Sequence, residues 1–250
     1  MLFRSYLHRY AYPDWYAEHE ARDRVLETGY RHGSGEVGCL QLRGEYLYVA
    51  EGRRGMRAYD VASVANKGFS QRIVTAPFSP LGHDTRVESE NATCVALPTN
   101  QPIHPDRNEG ELMREVNQEL PFHPLYDYAL ISDAEEGLIL VDVNTLADGE
   151  PRNNFLERSV TWNPDGILDG ARHLTVGGHY VYVATPRAVV VVDLDDPRAP
   201  RLAATVPLRD PRATALQFRY LFVTTADGLE VVDVTEPTAP RRVEGSRVAL

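Results

Sequence analysis

Short apolar runs separated by tight turns recur along the chain, and four stretches share one order. Residues 37–61 read VGCLQLRGEYLYVAEGRRGMRAYDV, 171–194 read ARHLTVGGHYVYVATPRAVVVVDL, and 211–234 read PRATALQFRYLFVTTADGLEVVDV. The remaining copy is split into ATCVALP at 92–98 and YALISDAEEGLILVDV at 128–143. Each predicts a short apolar strand, a turn, an aromatic-rich strand, a second turn, and a strand ending apolar-Asp-apolar. Tyr180-Val-Tyr-Val183 and Val189-Val-Val-Val192 leave no polar side for water. A sheet open to solvent should alternate, so these strands need a layer above and below. Parallel packing is excluded, because the connections are too short for crossover helices.

Fanning like sheets around an axis satisfies that demand. Asp193 and Asp233 lie 40 residues apart, the length of one propeller blade. Asp195-Asp-Pro197 and Glu236-Pro237 follow the third strands, with Pro200 and Pro240 three residues on. Proline cannot serve a central ladder, so these mark turns into outer fourth strands at Arg201–Leu208 and Arg241–Gly245. The recurring Asp60, Asp142, Asp193 and Asp233 are expected to be structural. An Asp side chain there can accept backbone N–H bonds from the following turn.

GLILVDV (137–143), AVVVVDLDDPRAP (188–200) and GLEVVDVTEPTAP (228–240) resemble the LVIVD repeat of bacterial envelope and secreted proteins. The resemblance covers about residues 34–245 and implies an all-β propeller of four-stranded blades, in a periplasmic, cell-surface or extracellular setting. Some larger proteins with such repeats carry c-type haem; no Cys-x-x-Cys-His stands here, so no residue inherits that role. The first repeat departs from the pattern: Arg57-Ala-Tyr-Asp-Val61 lacks the Asp-Pro turn, and its outer strand is expected near Phe69–Val74.

The expected organisation is an irregular or helical extension over 1–33, with helical composition at Glu18–Leu26, then blades at about 34–75, 89–160, 169–208 and 210–245. An insertion at 98–125 interrupts the second blade, with a short helix expected near Glu111–Glu119. Propellers have 4–8 blades. Nothing after Gly245 supplies the strand that would close four, so a partial propeller is expected: an open arc from a wheel of six to eight. Met1–Ser5 reads as the translation of a sequencing-adapter tail, which fits a piece of a longer chain.

Composition narrows the chemistry. The chain has 250 residues, 36 Asp+Glu against 26 Lys+Arg and a net charge of -10. Nucleic-acid binding would need a basic stripe, so that class is excluded as a partner. No apolar run approaches the roughly 20 residues of a membrane span. Lys67 is the sole lysine, which a GC-rich genome explains.

Candidate sites are few. Arg172 and Arg212, each eight residues before Tyr180 or Tyr220, would sit side by side if the inner strands line a channel, and could hold a small anion. Pairing with Asp169 and Asp210 is the structural alternative. His104 and His123 both precede proline within the insertion, with Asp106, Glu109 and Glu111 near, and could ligate a metal although their spacing matches no motif. His173 reads as a packed channel residue. Cys39 and Cys94 fall one residue out of step on neighbouring inner strands and are expected to be free, buried thiols. No nucleophile elbow, P-loop, metalloprotease or dinucleotide motif is present, so no catalytic residue is assigned and no cofactor is expected. The expected function is a non-catalytic interaction or scaffold module that presents loops 98–125 and 75–91 to a protein partner or to the rest of its own chain. The alternatives are an accessory unit of a haem or other enzymatic protein whose reactive centre lies elsewhere, and small-anion or metal binding in the channel.

Overall fold

The computed structural model describes residues 36–44, 46–60, 86–99, 123–146 and 156–249. These residues form four antiparallel sheets of four strands, the blades of a propeller. The first blade holds β1 (Cys39–Arg43), β2 (Tyr46–Ala50), β3 (Met56–Asp60) and β4 (Arg86–Val87). The second holds β5 (Ala92–Ala96), β6 (Tyr128–Asp133), β7 (Gly137–Asp142) and β8 (Glu157–Trp162). In the third are β9 (His173–Gly177), β10 (Tyr180–Ala184), β11 (Ala188–Asp193) and β12 (Arg201–Pro207). The fourth has β13 (Ala213–Gln217), β14 (Tyr220–Thr225), β15 (Gly228–Asp233) and β16 (Arg241–Arg242).

The double-sided apolar strands are buried as their sequence demands. β6, with Ser132 and Asp133 at its end, and β10 apart from Tyr180 are covered on both faces, and so are β7 and β11 up to their closing aspartates. Three apolar junctions do the covering. Tyr48 and Met56 of the first blade meet Ile131 and Ile139 of the second. Leu130, Leu138 and Leu140 meet Val181 and Val190 of the third. Tyr182, Val189 and Val191 meet Leu221, Val223 and Val232 of the fourth. β14 behaves differently: every second residue is buried and the rest are half-exposed. Among the described residues its apolar junction is with the third blade alone. Among the described residues no hydrogen bond joins β13 to β1.

Two expectations are corrected. The outer strand of the first blade is β4, whose Val87 pairs with Met56; Phe69–Val74 lies outside the described residues, as do the expected helices at 18–26 and 111–119. Cys39 and Cys94 are not free thiols but a disulfide, with Cα atoms 4.8 Å apart. The offset between them is absorbed by a β-bulge, which sets Ala92 opposite Asp133 but Cys94 opposite Ser132. Cys39 faces Ala50, the fifth residue of β2, as Ser132 is the fifth of β6. Both cysteines therefore occupy one ladder position on adjacent inner strands.

The bridge closes a loop across a sequence separation of 55 residues. Restricting the unfolded chain by such a loop stabilises by about 4 kcal/mol. Cys39→Ser with Cys94→Ser is expected to lower stability by roughly that amount, read from denaturant melts. A wild-type chain whose two thiols react with an alkylating agent without prior reduction would refute the bridge.

Candidate functional site

Each blade hands polar atoms to the next around the hub. The Val95 N–H donates to Cys39 Sγ at 3.1 Å. Gln41 Nε2 donates to Leu97 O (3.1 Å), and its Oε1 accepts from Leu97 N (2.8 Å). Thr93 Oγ1 donates to Ala171 O at 2.9 Å, tying β5 to the start of the third blade. His173 Nδ1 accepts from Thr214 N (3.3 Å), and Thr175 Oγ1 donates to Thr214 O (2.9 Å). Burial pushes the His173 pKa below its ordinary value, so the ring is neutral at physiological pH, with its proton on Nε2.

These inner strands enclose a cleft of about 860 Å³, walled by the disulfide, Gln41, Val176, Leu216 and Phe218 among others. A quarter of the chain is charged, yet the described walls carry no Asp, Glu, Lys or Arg. That volume lies within the range of ligand pockets. Phe218 stands at the mouth, 92% exposed, in the β13–β14 turn. Its φ is 53°, in the left-handed region. The same turn position is Gly44 in the first blade and Gly178 in the third, with φ of 60° and 61°. Glycine takes this conformation freely, whereas a side chain there costs about 1–2 kcal/mol. An aromatic ring thus replaces a glycine where the fold gains nothing from it. The signal was present in the aligned repeats, as Phe218 against two glycines, but it pointed to no chemistry until the turn was placed at the cleft.

The aspartates do serve the turns. Asp142 Oδ1 accepts from Asn144 N, Asp193 Oδ1 from Asp195 N, and Asp233 Oδ1 from Thr235 N, each at 2.9 Å. The Thr235 bonds hold the Asp233 carboxyl below the usual carboxylate range. Asp60 pairs with Tyr46 through the strand ladder, and its side chain lies outside the described residues.

Arg172 and Arg212 converge, but on Asp210. Arg172 Nη1 is 2.5 Å from Asp210 Oδ1, and Arg212 Nε is 3.2 Å from Oδ2. Neither lines the cleft. Asp169 instead accepts from Asn163 Nδ2 at 2.8 Å. The two guanidinium groups and one carboxylate form a clamp between the third and fourth blades. His104 lies outside the described residues. His123 is buried: its Nδ1 accepts from Leu125 N (3.2 Å), Nε2 is 3.5 Å from Asp195 Oδ1, and its ring stacks on His179. It fastens the end of the insertion to the third blade. Among the described residues no three His, Cys, Asp or Glu side chains are grouped to hold a metal ion, and no helix is long and apolar enough to cross a membrane.

Residues 170–207 and 215–245 match the LVIVD repeat, which makes the third and fourth blades LVIVD repeats. No curated protein matches the chain. Among solved structures, a functionally unknown protein from Desulfotomaculum acetoxidans DSM 771 superimposes with a TM-score of 0.52 and 11% identity, over 86% of this chain and 57% of that one. A protein from Lactobacillus plantarum does so with a TM-score of 0.52 and 13% identity, over 83% and 54%. The chain spans just over half the length of these two structures. At such identity the likeness is one of fold alone.

The clamp has a pH signature. The Arg172 hydrogen bond, reinforced by Arg212, outweighs partial desolvation and holds the Asp210 carboxyl below its ordinary pKa. Its stabilisation is therefore complete above the unfolded carboxylate pKa of about 4, and is lost as pH falls through the lower folded value. Asp210→Asn is expected to lower the melting temperature by a few degrees at neutral pH, with the gap from wild type closing in acid. Thermal melts across pH check this; a gap that does not depend on pH would refute it.

Proposed function

We propose that this propeller, with LVIVD repeats in its third and fourth blades, works as a non-catalytic interaction module whose contact surface is the hub cleft. The carrying observation is Phe218, almost fully exposed in a strained turn at the mouth of an uncharged cavity. An exposed aromatic over a pocket whose walls are uncharged suits a protein partner that inserts uncharged side chains. Polar atoms in the wall favour a rigid receptor over a reactive site: Gln41, Thr175 and His173 Nδ1 are each engaged by a neighbouring blade. The Cys39–Cys94 bridge supports an oxidising compartment, such as the bacterial envelope or the exterior.

Panning a displayed peptide library on the intact chain is expected to enrich uncharged, aromatic or aliphatic sequences. Phe218→Gly should abolish their binding while leaving stability unchanged or raised by up to about 1 kcal/mol, since the turn strain is relieved. Enrichment of charged peptides, or equal binding by Phe218→Gly, would overturn the reading.

A further inference from the structure

Among the described residues the inner strands are served unequally: the edges of β5 and β13 are taken up, β9 receives only Thr93 Oγ1 on Ala171 O just ahead of it, and β1 receives no such bond. On β5, the N–H groups of Val95 and Leu97 point toward the hub and are taken by Cys39 and Gln41 of the preceding strand. On β13, the Thr214 N–H and C=O are taken by His173 and Thr175. The side chains at these positions are covered as well: Val95, Leu97 and Leu174 are each 2% exposed, and Thr214 is 6%. By register with the second strand, Leu40 and Leu42 are the equivalent positions on β1: Leu40 faces Val49 as Val95 faces Ile131 and Thr214 faces Val223. Yet Leu40 is 58% and Leu42 57% exposed, and among the described residues no side chain caps their edge.

We infer that β1 is a docking edge for an extended strand of a partner protein, one carrying hydrogen-bonding side chains two residues apart. Unpaired backbone groups on an edge strand are a template for strand addition, which gives affinity through the main chain and selectivity through alternate side chains. The chain itself shows the required pattern. Cys39 and Gln41 serve β5, and His173 and Thr175 serve β13; in each pair the two side chains are separated by a single residue. A second copy of this chain does not fit through its fourth blade, because the corresponding residues on β13 are Ala213 and Ala215, whose side chains have nothing to donate or accept. The inference deepens the module reading and rests on it: Leu40 and Gln41 also form part of the cleft wall.

Hydrogen exchange on the intact chain, with and without a synthetic peptide of residues 171–178 (ARHLTVGG), tests it. The Leu40 and Leu42 amides are expected to exchange rapidly in the free protein, unlike those of Val95, Leu97 and Thr214, and to become protected when the peptide binds. A peptide with alanine in place of its His and Thr should lose binding. So should a Leu42→Pro protein, since proline removes the N–H and is tolerated on an edge strand. Slow exchange of both amides in the free protein, or equal binding of the alanine peptide, overturns the inference. If the strand peptide fails while Phe218-dependent peptides still bind, the edge is refuted and the module reading stands. If Phe218-dependent binding fails alone, the reverse holds.

Discussion

Sheets with no wet face dictate this molecule. Val189 to Val192 alternate sides of β11, so two of them turn to each neighbouring blade, and all four are almost fully buried. Fully burying such a side chain is worth about 1.5–3 kcal/mol relative to exposure. No lone sheet could recover that on both faces at once. Stacking blade on blade does so, and the hub, cleft and turns follow from the resulting radial order.

The polar contacts at the hub are a consequence of that stacking. Inner strands converge on the axis, where their backbone edges face one another. Gln41 imitates a peptide group, donating to and accepting from the same residue, Leu97. His173 and Thr175 divide the same task between them on Thr214. The disulfide is a covalent form of the same handover, since Cys39 Sγ accepts from Val95 N while bonded to Cys94. Buried backbone groups must find partners, and on β5 and β13 side chains of the preceding blade provide them. Among the described residues no side chain of another blade serves β1, so its inner edge is where that system stops.

The fourth blade differs from the third. The fourth blade shows alternating burial along β14, whereas β10 next to it is covered on both sides apart from Tyr180 at its start. Phe218 in the same blade breaks the glycine preference of its turn. Asp165 and Asp210 also take left-handed φ, at 54° and 55°, but of the three only Phe218 lines the cleft. Strain of this kind persists only where surrounding structure over-determines it.

The repeated order of apolar runs and turns determined the strand content, the blade length and the turn role of the aspartates, because these depend on contacts within one or two hairpins. Asp142, Asp193 and Asp233 act on a backbone N–H two residues away, so sequence spacing alone places them. What joins one blade to another was decided only by tertiary structure. The bulge beside Cys94 shifts the register of β5 by one residue and converts two mismatched cysteines into a bridge. The convergence of Arg172 and Arg212 on Asp210 depends on how closely two blades approach, a distance no repeat pattern encodes. The exposure of Phe218 and of the β1 leucines has the same origin: an apolar residue is written identically whether its neighbour is another blade or water.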